Sequence, residues 1–185
     1  MRCFIALDIS NEMRKVIWEK LEILRKRLSS VRWVAPTNYH VSLAFLGEIN
    51  DEEIQIVSDI LENAAKNVPP FILQISGAGI FGKIESPRVL WAGIAHSEEL
   101  TTLQKIIVEN LKSKGFKTDE RPYSPHLTLA RFSRPERSKA LGEWLKEFSD
   151  FNFGQIEEKE ILLMQSTLMP DGAVYKPAAI FKLSS

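Results

Sequence analysis

The chain carries one cysteine, Cys3, in 185 residues. That excludes an internal disulfide framework and a cysteine-based zinc site. Because Cys3 sits in an apolar run, it reads as a buried structural residue rather than a nucleophile. Histidine is equally scarce. The three, His40, His96 and His126, stand at scattered spacing, without the close pairing and third ligand that a zinc site asks for, so no metal or other cofactor is expected. Net charge is zero, with 24 basic and 24 acidic residues, which argues against broad, charge-driven coating of a nucleic acid. No apolar run approaches the roughly 20 residues that span a bilayer. The N-terminus, MRCFIALDIS, lacks the three zones of a signal peptide, so a cytoplasmic protein with no membrane partner is expected.

What the chain has is an echo of itself. Phe4–Ser10 reads FIALDIS and Leu90–His96 reads LWAGIAH, two short apolar runs that each lead into a helical pattern. The same spacing of 86 residues carries Pro36 to Pro122 and His40 to His126, laying HVSLAFL (40–46) over HLTLARF (126–132). Half a chain is too long a period for a solenoid. It reads as one bilobal domain over 1–185 built by internal duplication.

Strands are expected at 2–9, 31–34, 40–46, 71–81, 88–95 and 126–132. A last hairpin, 160–168 with 174–183, would turn at Pro170-Asp171-Gly172. Helices are expected at 11–29, 51–66, 98–114 and 135–148. In the first of these, Val16, Ile17, Leu21, Leu24 and Leu28 fall near helical spacing. The fold class is α+β: two pseudo-symmetric lobes of antiparallel sheet around a central cleft, with helices outside.

Side chains alternate along a strand, so His40 and Ser42 share one face and Val41 and Leu43 the other. His126 and Thr128 pair in the same way against Leu127 and Leu129. Two such strands aim two imidazoles and two hydroxyls into one cleft. A neutral imidazole can take a proton from an attacking oxygen while a protonated one supplies the departing oxygen. The hydroxyls can donate hydrogen bonds to phosphate oxygens. These motifs, with the flanks WVAPTNYHVSLAFLGE (33–48), FGKIESPRVLWAGI (81–94) and RPYSPHLTLAR (121–131), resemble the RNA 2′,3′-cyclic phosphodiesterases of the two-histidine phosphoesterase superfamily. That family is also called the RNA 2′,5′-ligases.

The resemblance covers essentially the whole chain. It implies His40 and His126 as the acid–base pair, Ser42 and Thr128 as phosphate ligands, and Arg131 as a contact to the phosphate or RNA end. The implied reaction opens a 2′,3′-cyclic phosphate to a 2′-phosphate, with 2′,5′ ligation as its relative and an RNA terminus as partner. Which histidine is base and which acid stays open. Ser42 departs from the commoner threonine, keeping the hydroxyl with a looser rotamer.

His96 has no partner motif and is given no catalytic role. Phe45 fits either a stacking contact to a nucleobase or, sharing parity with Val41 and Leu43, the core. The four tryptophans read as core. Arg121, Arg131, Arg134, Arg137 and Lys139, extended by Lys83 and Arg88, make either a basic rim for an RNA end or a solvated face offset by Glu136 and Glu143. A non-catalytic RNA-end binder on the same fold, or an enzyme for a small cyclic nucleotide, are the competing functions. A monomer is expected, since the two lobes already complete the cleft.

Overall fold

Among the described residues nine strands hydrogen-bond into one sheet, and what orders them is a seam between the two histidine-bearing strands. The computed structural model describes residues 1–29, 31–136, 138–170 and 172–184. The strands are β1 (Arg2–Asp8), β2 (Val31–Trp33), β3 (His40–Glu48), β4 (Phe71–Lys83), β5 (Ser86–Ile94), β6 (His126–Phe132), β7 (Asn152–Glu158), β8 (Glu160–Met169) and β9 (Gly172–Lys182). The helices are α1 (Asn11–Lys20), α2 (Glu22–Arg27), α3 (Asp51–Lys66), α4 (Glu98–Ser113) and α5 (Lys139–Phe148).

The sheet runs β7-β4-β5-β6-β3-β1-β8-β9, with β2 pairing only β6. All strand pairs are antiparallel, and β3 meets β6 at Val41 and Leu127. The order is thus mirrored about the β3–β6 seam. Neither half of the sheet is half of the chain: β3, β1, β8 and β9 join the two ends of the sequence, whereas β4 to β7 come from its middle.

One face of the sheet is apolar and covered by helices. Val41, Leu43, Leu127, Leu129, Leu90, Ala92, Ile5 and Leu7 all point into this core. The helices cross over. α1, which follows β1, packs on β7, and α4, which follows β5, packs on β3; α3 lies on β8 and β9, and α5 on β4. In α1 and α2 the stripe read from the sequence is the buried one, Ile17, Leu21, Leu24 and Leu28, with Val16 half-buried. Leu21 divides the single expected helix into two. Side-chain caps fix the starts. Ser10 accepts from the Met13 N–H, and Ser97 from that of Leu100. Asn50 and Glu53 close a capping box.

β7 is a strand for which the sequence pattern gives no element: Gly154 sits at φ +128° and the strand ends on a buried carboxylate, Glu158. Two expectations need correction. β1 answers to β5 at a spacing of 85, not 86: Asp8 pairs with His40 as Gly93 pairs with His126. The last expected helix begins only at Lys139, after its cap Ser138. Asp171 in the expected turn, and Arg137, lie outside the described residues.

Candidate active site

The uncovered face of the sheet carries both histidines. Antiparallel pairing at Val41 and Leu127 sets His40 across from Thr128 and Ser42 across from His126. The four side chains therefore form one cluster on the cleft face.

The two rings are held alike. His40 Nδ1 lies 2.8 Å from the carbonyl oxygen of Asn38, and His126 Nδ1 lies 2.8 Å from that of Ser124. A carbonyl only accepts, so Nδ1 carries the proton in both rings and Nε2 is the unprotonated atom of each neutral ring. Each acceptor is two residues before its histidine, so the local chain turn that opens the strand also sets the tautomer.

Their surroundings differ. The His40 ring packs against Phe4 at 4.8 Å and stands edge-on to Tyr175 of β9 at 5.3 Å. Its Nε2 is 3.0 Å from Ser42 Oγ. Burial lowers its pKa from the ordinary 6.5, opposed by the Asn38 carbonyl and Asp8, with His126 and Arg131 lowering it further. His126 instead meets Phe81 of β4 edge-on at 4.9 Å. Ser42, expected to be the looser hydroxyl, is thus tied to its own histidine. Thr128 lies on the His126 face, opposite Trp91.

Loops frame the cluster. The Arg14 guanidinium bonds the carbonyls of Ile9, Pro36 (2.9 Å) and Tyr39 (3.4 Å) and the Asp8 carboxylate (2.5 Å). It staples the turn before His40. On the other side the Tyr123 hydroxyl, kept protonated by burial, donates to the Ser42 carbonyl at 3.1 Å.

A cleft of roughly 800 Å³ opens beside the cluster, lined among others by Ser42, Phe45, Phe81, Arg88, His126 and Arg131. Phe45 is 65% exposed. The core alternative for it is wrong, because the pairing of β1 with β3 slips between Ile5 and Ala6. That bulge spends an extra residue and flips the parity beyond Ser42. The pairing of β5 with β6 slips in the same place, between Leu90 and Trp91, and turns Arg131 outward.

The tryptophan reading also changes. Trp144 is core, but Trp18, Trp33 and Trp91 are only partly buried. Trp91 lies over Gly79, where a Cβ would come within 2.3 Å of its ring. Of the expected basic rim, Arg88, Arg121 and Arg131 line the cleft, Arg121 together with its ion-pair partner Asp119, whereas Lys139 is paired with Glu143. His96 is exposed just before α4. Sequence reasoning misses Phe4, Phe81 and Tyr175. Their signal is tertiary, since each comes from a different strand. No cluster of three or more metal-ligating side chains occurs among the described residues, and no helix among them is long and apolar enough to cross a membrane.

An open antiparallel sheet with paired histidine strands at its seam is the two-histidine phosphoesterase fold. A family model described as the 2′-5′ RNA ligase superfamily matches residues 13–157, and the chain belongs to that superfamily. It is 34% identical to an RNA 2′,3′-cyclic phosphodiesterase of Archaeoglobus fulgidus, over 98% of this chain and all of the relative. It is 33% identical to one from Thermotoga maritima, over 95% and 92% of the two chains. Among solved structures, a Thermus thermophilus protein superposes with a TM-score of 0.84 at 25% identity, over 99% and 98% of the two chains. E. coli LigT complexed with 3′-AMP gives 0.81 at 26% identity, over 100% and 98%.

Proposed function

We propose that this protein hydrolyses the 2′,3′-cyclic phosphate end of an RNA to a 2′-phosphate, using His40 and His126 as acid–base pair and no metal. The observation that carries the reading is the matched tautomer: two Nδ1–H groups are spent on backbone carbonyls, which turns both Nε2 atoms to the cleft face, that of His40 beside the Ser42 hydroxyl. One neutral imidazole takes the proton of a water as its oxygen bonds phosphorus. The P–O3′ bond breaks, and the other imidazole, protonated, gives its proton to O3′. The products are a 2′-phosphate monoester and a 3′-hydroxyl. Thr128 donates to a non-bridging oxygen, as does Ser42 once its hydroxyl turns from His40 Nε2 to the substrate, and Arg131 supplies charge to the phosphate or RNA end. Phe45 offers an exposed ring for a base to stack on.

An RNA 5′-hydroxyl entering in place of water gives a 2′,5′ phosphodiester by the same steps. The near-symmetric pair can exchange roles between directions. The mirrored sheet, with both parity-flipping bulges just after the histidine motifs, supports an origin by duplication within one bilobal domain.

The test is an RNA oligonucleotide ending in a 2′,3′-cyclic phosphate, incubated with chelator present, with His40→Ala and His126→Ala in parallel. Conversion to a 2′-phosphate, cut in each variant by about 10²-fold or more, is expected. Binding without conversion would replace the enzyme with an RNA-end binding module, and loss of activity in chelator would implicate a metal.

A further inference from the structure

Arg32 is the charged residue of a three-residue strand that, among the described residues, pairs with β6 alone. In that pairing Val31 meets Phe132, Arg32 meets Arg131 and Trp33 meets Ala130. Residues directly opposite share a face, with Cβ atoms about 4.5–5.5 Å apart. Val31 is buried while Arg32 is exposed, and Arg131 lines the cleft, so Arg32 stands on the same face of the sheet, at the margin of the cleft beside Arg131. Val89 flanks Arg131 on the other side, and the neighbouring Arg88 lines the same cleft.

Like charges placed opposite each other destabilise a sheet. Three other arginines of the chain are held by partners. Arg14 holds Asp8 and three carbonyls, Arg121 holds Asp119, and Arg25 bonds the Trp18 carbonyl and covers the Trp18 ring. Arg32, Arg88 and Arg131 have no such partner among the described residues. A phosphate shared by planar guanidinium groups would offset the repulsion, because each offers parallel N–H donors to its oxygens.

Arg131 is near enough to the reacting centre for its charge to lower the His40 pKa, and Arg32 extends the positive charge outward from it. Arg131 lies three residues past Thr128 on β6, roughly 10 Å at the usual strand rise and less across the bulge. Arg32 is one strand further out. A group held between Arg32 and the outer side of Arg131 is a different group from the cyclic phosphate between the histidines.

Resting on the function proposed above, we infer that Arg32 and Arg131 form a second anion subsite that takes a phosphodiester of the RNA chain upstream of the reacting end. The protein therefore favours a cyclic-phosphate-ended oligonucleotide over a mononucleoside cyclic phosphate.

The test compares kcat/KM on both substrates for wild type, Arg32→Ala and Arg32→Lys. Arg32→Ala lowers kcat/KM for the oligonucleotide about tenfold more than for the mononucleotide, the scale of one charge-assisted contact. The slope of log affinity for the oligonucleotide against log salt flattens by about 0.7. Arg32→Lys keeps that slope and recovers part of the rate, and the melting temperature of Arg32→Ala does not fall. Equal losses on the two substrates, or no loss on the oligonucleotide in an active enzyme, overturn the subsite and leave the hydrolysis intact. A wild-type protein inactive on both substrates overturns the hydrolysis and the subsite together.

Discussion

Phe45 and Arg131 occupy the same place in the two halves of the sheet. Each stands three residues past the hydroxyl of its motif, beyond a slip in strand pairing that turns it toward the cleft. One half thereby presents an aromatic face and the other a guanidinium. Replacing Phe45 with Ala is expected to leave stability within about 0.5 kcal/mol of wild type, as for other exposed positions. KM for a cyclic-phosphate-ended RNA should rise roughly 5- to 150-fold if a base stacks there. Thermal melting and steady-state kinetics check both. A stability loss of about 3–5 kcal/mol would return Phe45 to the core.

Most of this site is legible in the sequence because its chemistry is local there. Within each motif, alternation sets the histidine and its hydroxyl on one face, and the spacing from His40 to His126 relates the two motifs. Phe45 is ambiguous for a physical reason: alternation predicts a face only while the ladder keeps register, and a bulge is made by the partner strand. β7 is hidden by its own irregularities, a glycine in the left-handed region and a buried carboxyl. The ring contacts of Phe4, Tyr175 and Phe81 come from three separate strands, and no short pattern encodes them. The crossing of α1 and α4 onto opposite halves of the sheet is likewise invisible until the strand order is known.

Burial holds the His40 pKa below 6.5. The unfolded chain therefore takes up the proton first as pH falls. Stability contributed by this site is complete above about 6.5 and declines as pH drops from there to the folded value. An NMR titration should find His40 titrating below the ordinary imidazole range. Adding inorganic phosphate should move it upward, because an anion beside the ring favours the charged form. A His40 titration indifferent to phosphate would place no anion between the histidines.

Gly79 makes room for the ring of Trp91, which in turn stands 5.6 Å from Phe81, the ring that braces His126. A Gly79→Ala change drives a methyl into that ring. Trp91 must shift, and the disturbance reaches His126 through Phe81. The variant should lose about 1–3 kcal/mol by overpacking and a larger share of kcat than its residual folded fraction explains. Measuring kcat below its melting transition separates the two. A variant with normal kcat per folded molecule would show that Phe81 does not transmit the shift.

Glu158 is buried at the end of β7, its Oε1 has no hydrogen-bond partner among the described residues, and desolvation with the nearby Asp8 raises its pKa to about 8. The folded protein keeps this carboxyl protonated between its ordinary value of 4.5 and about 8, where the unfolded chain has released the proton. Stability therefore falls as pH rises through that window, by an amount on the order of a few kcal/mol. Glu158→Gln supplies a neutral side chain of the same shape. Its unfolding free energy should be nearly flat from about pH 6 to about pH 9 while that of the wild type declines, so the two curves diverge on the alkaline side. Chemical denaturation at several pH values measures this directly, and parallel curves would mean that Glu158 ionises in the folded state without cost.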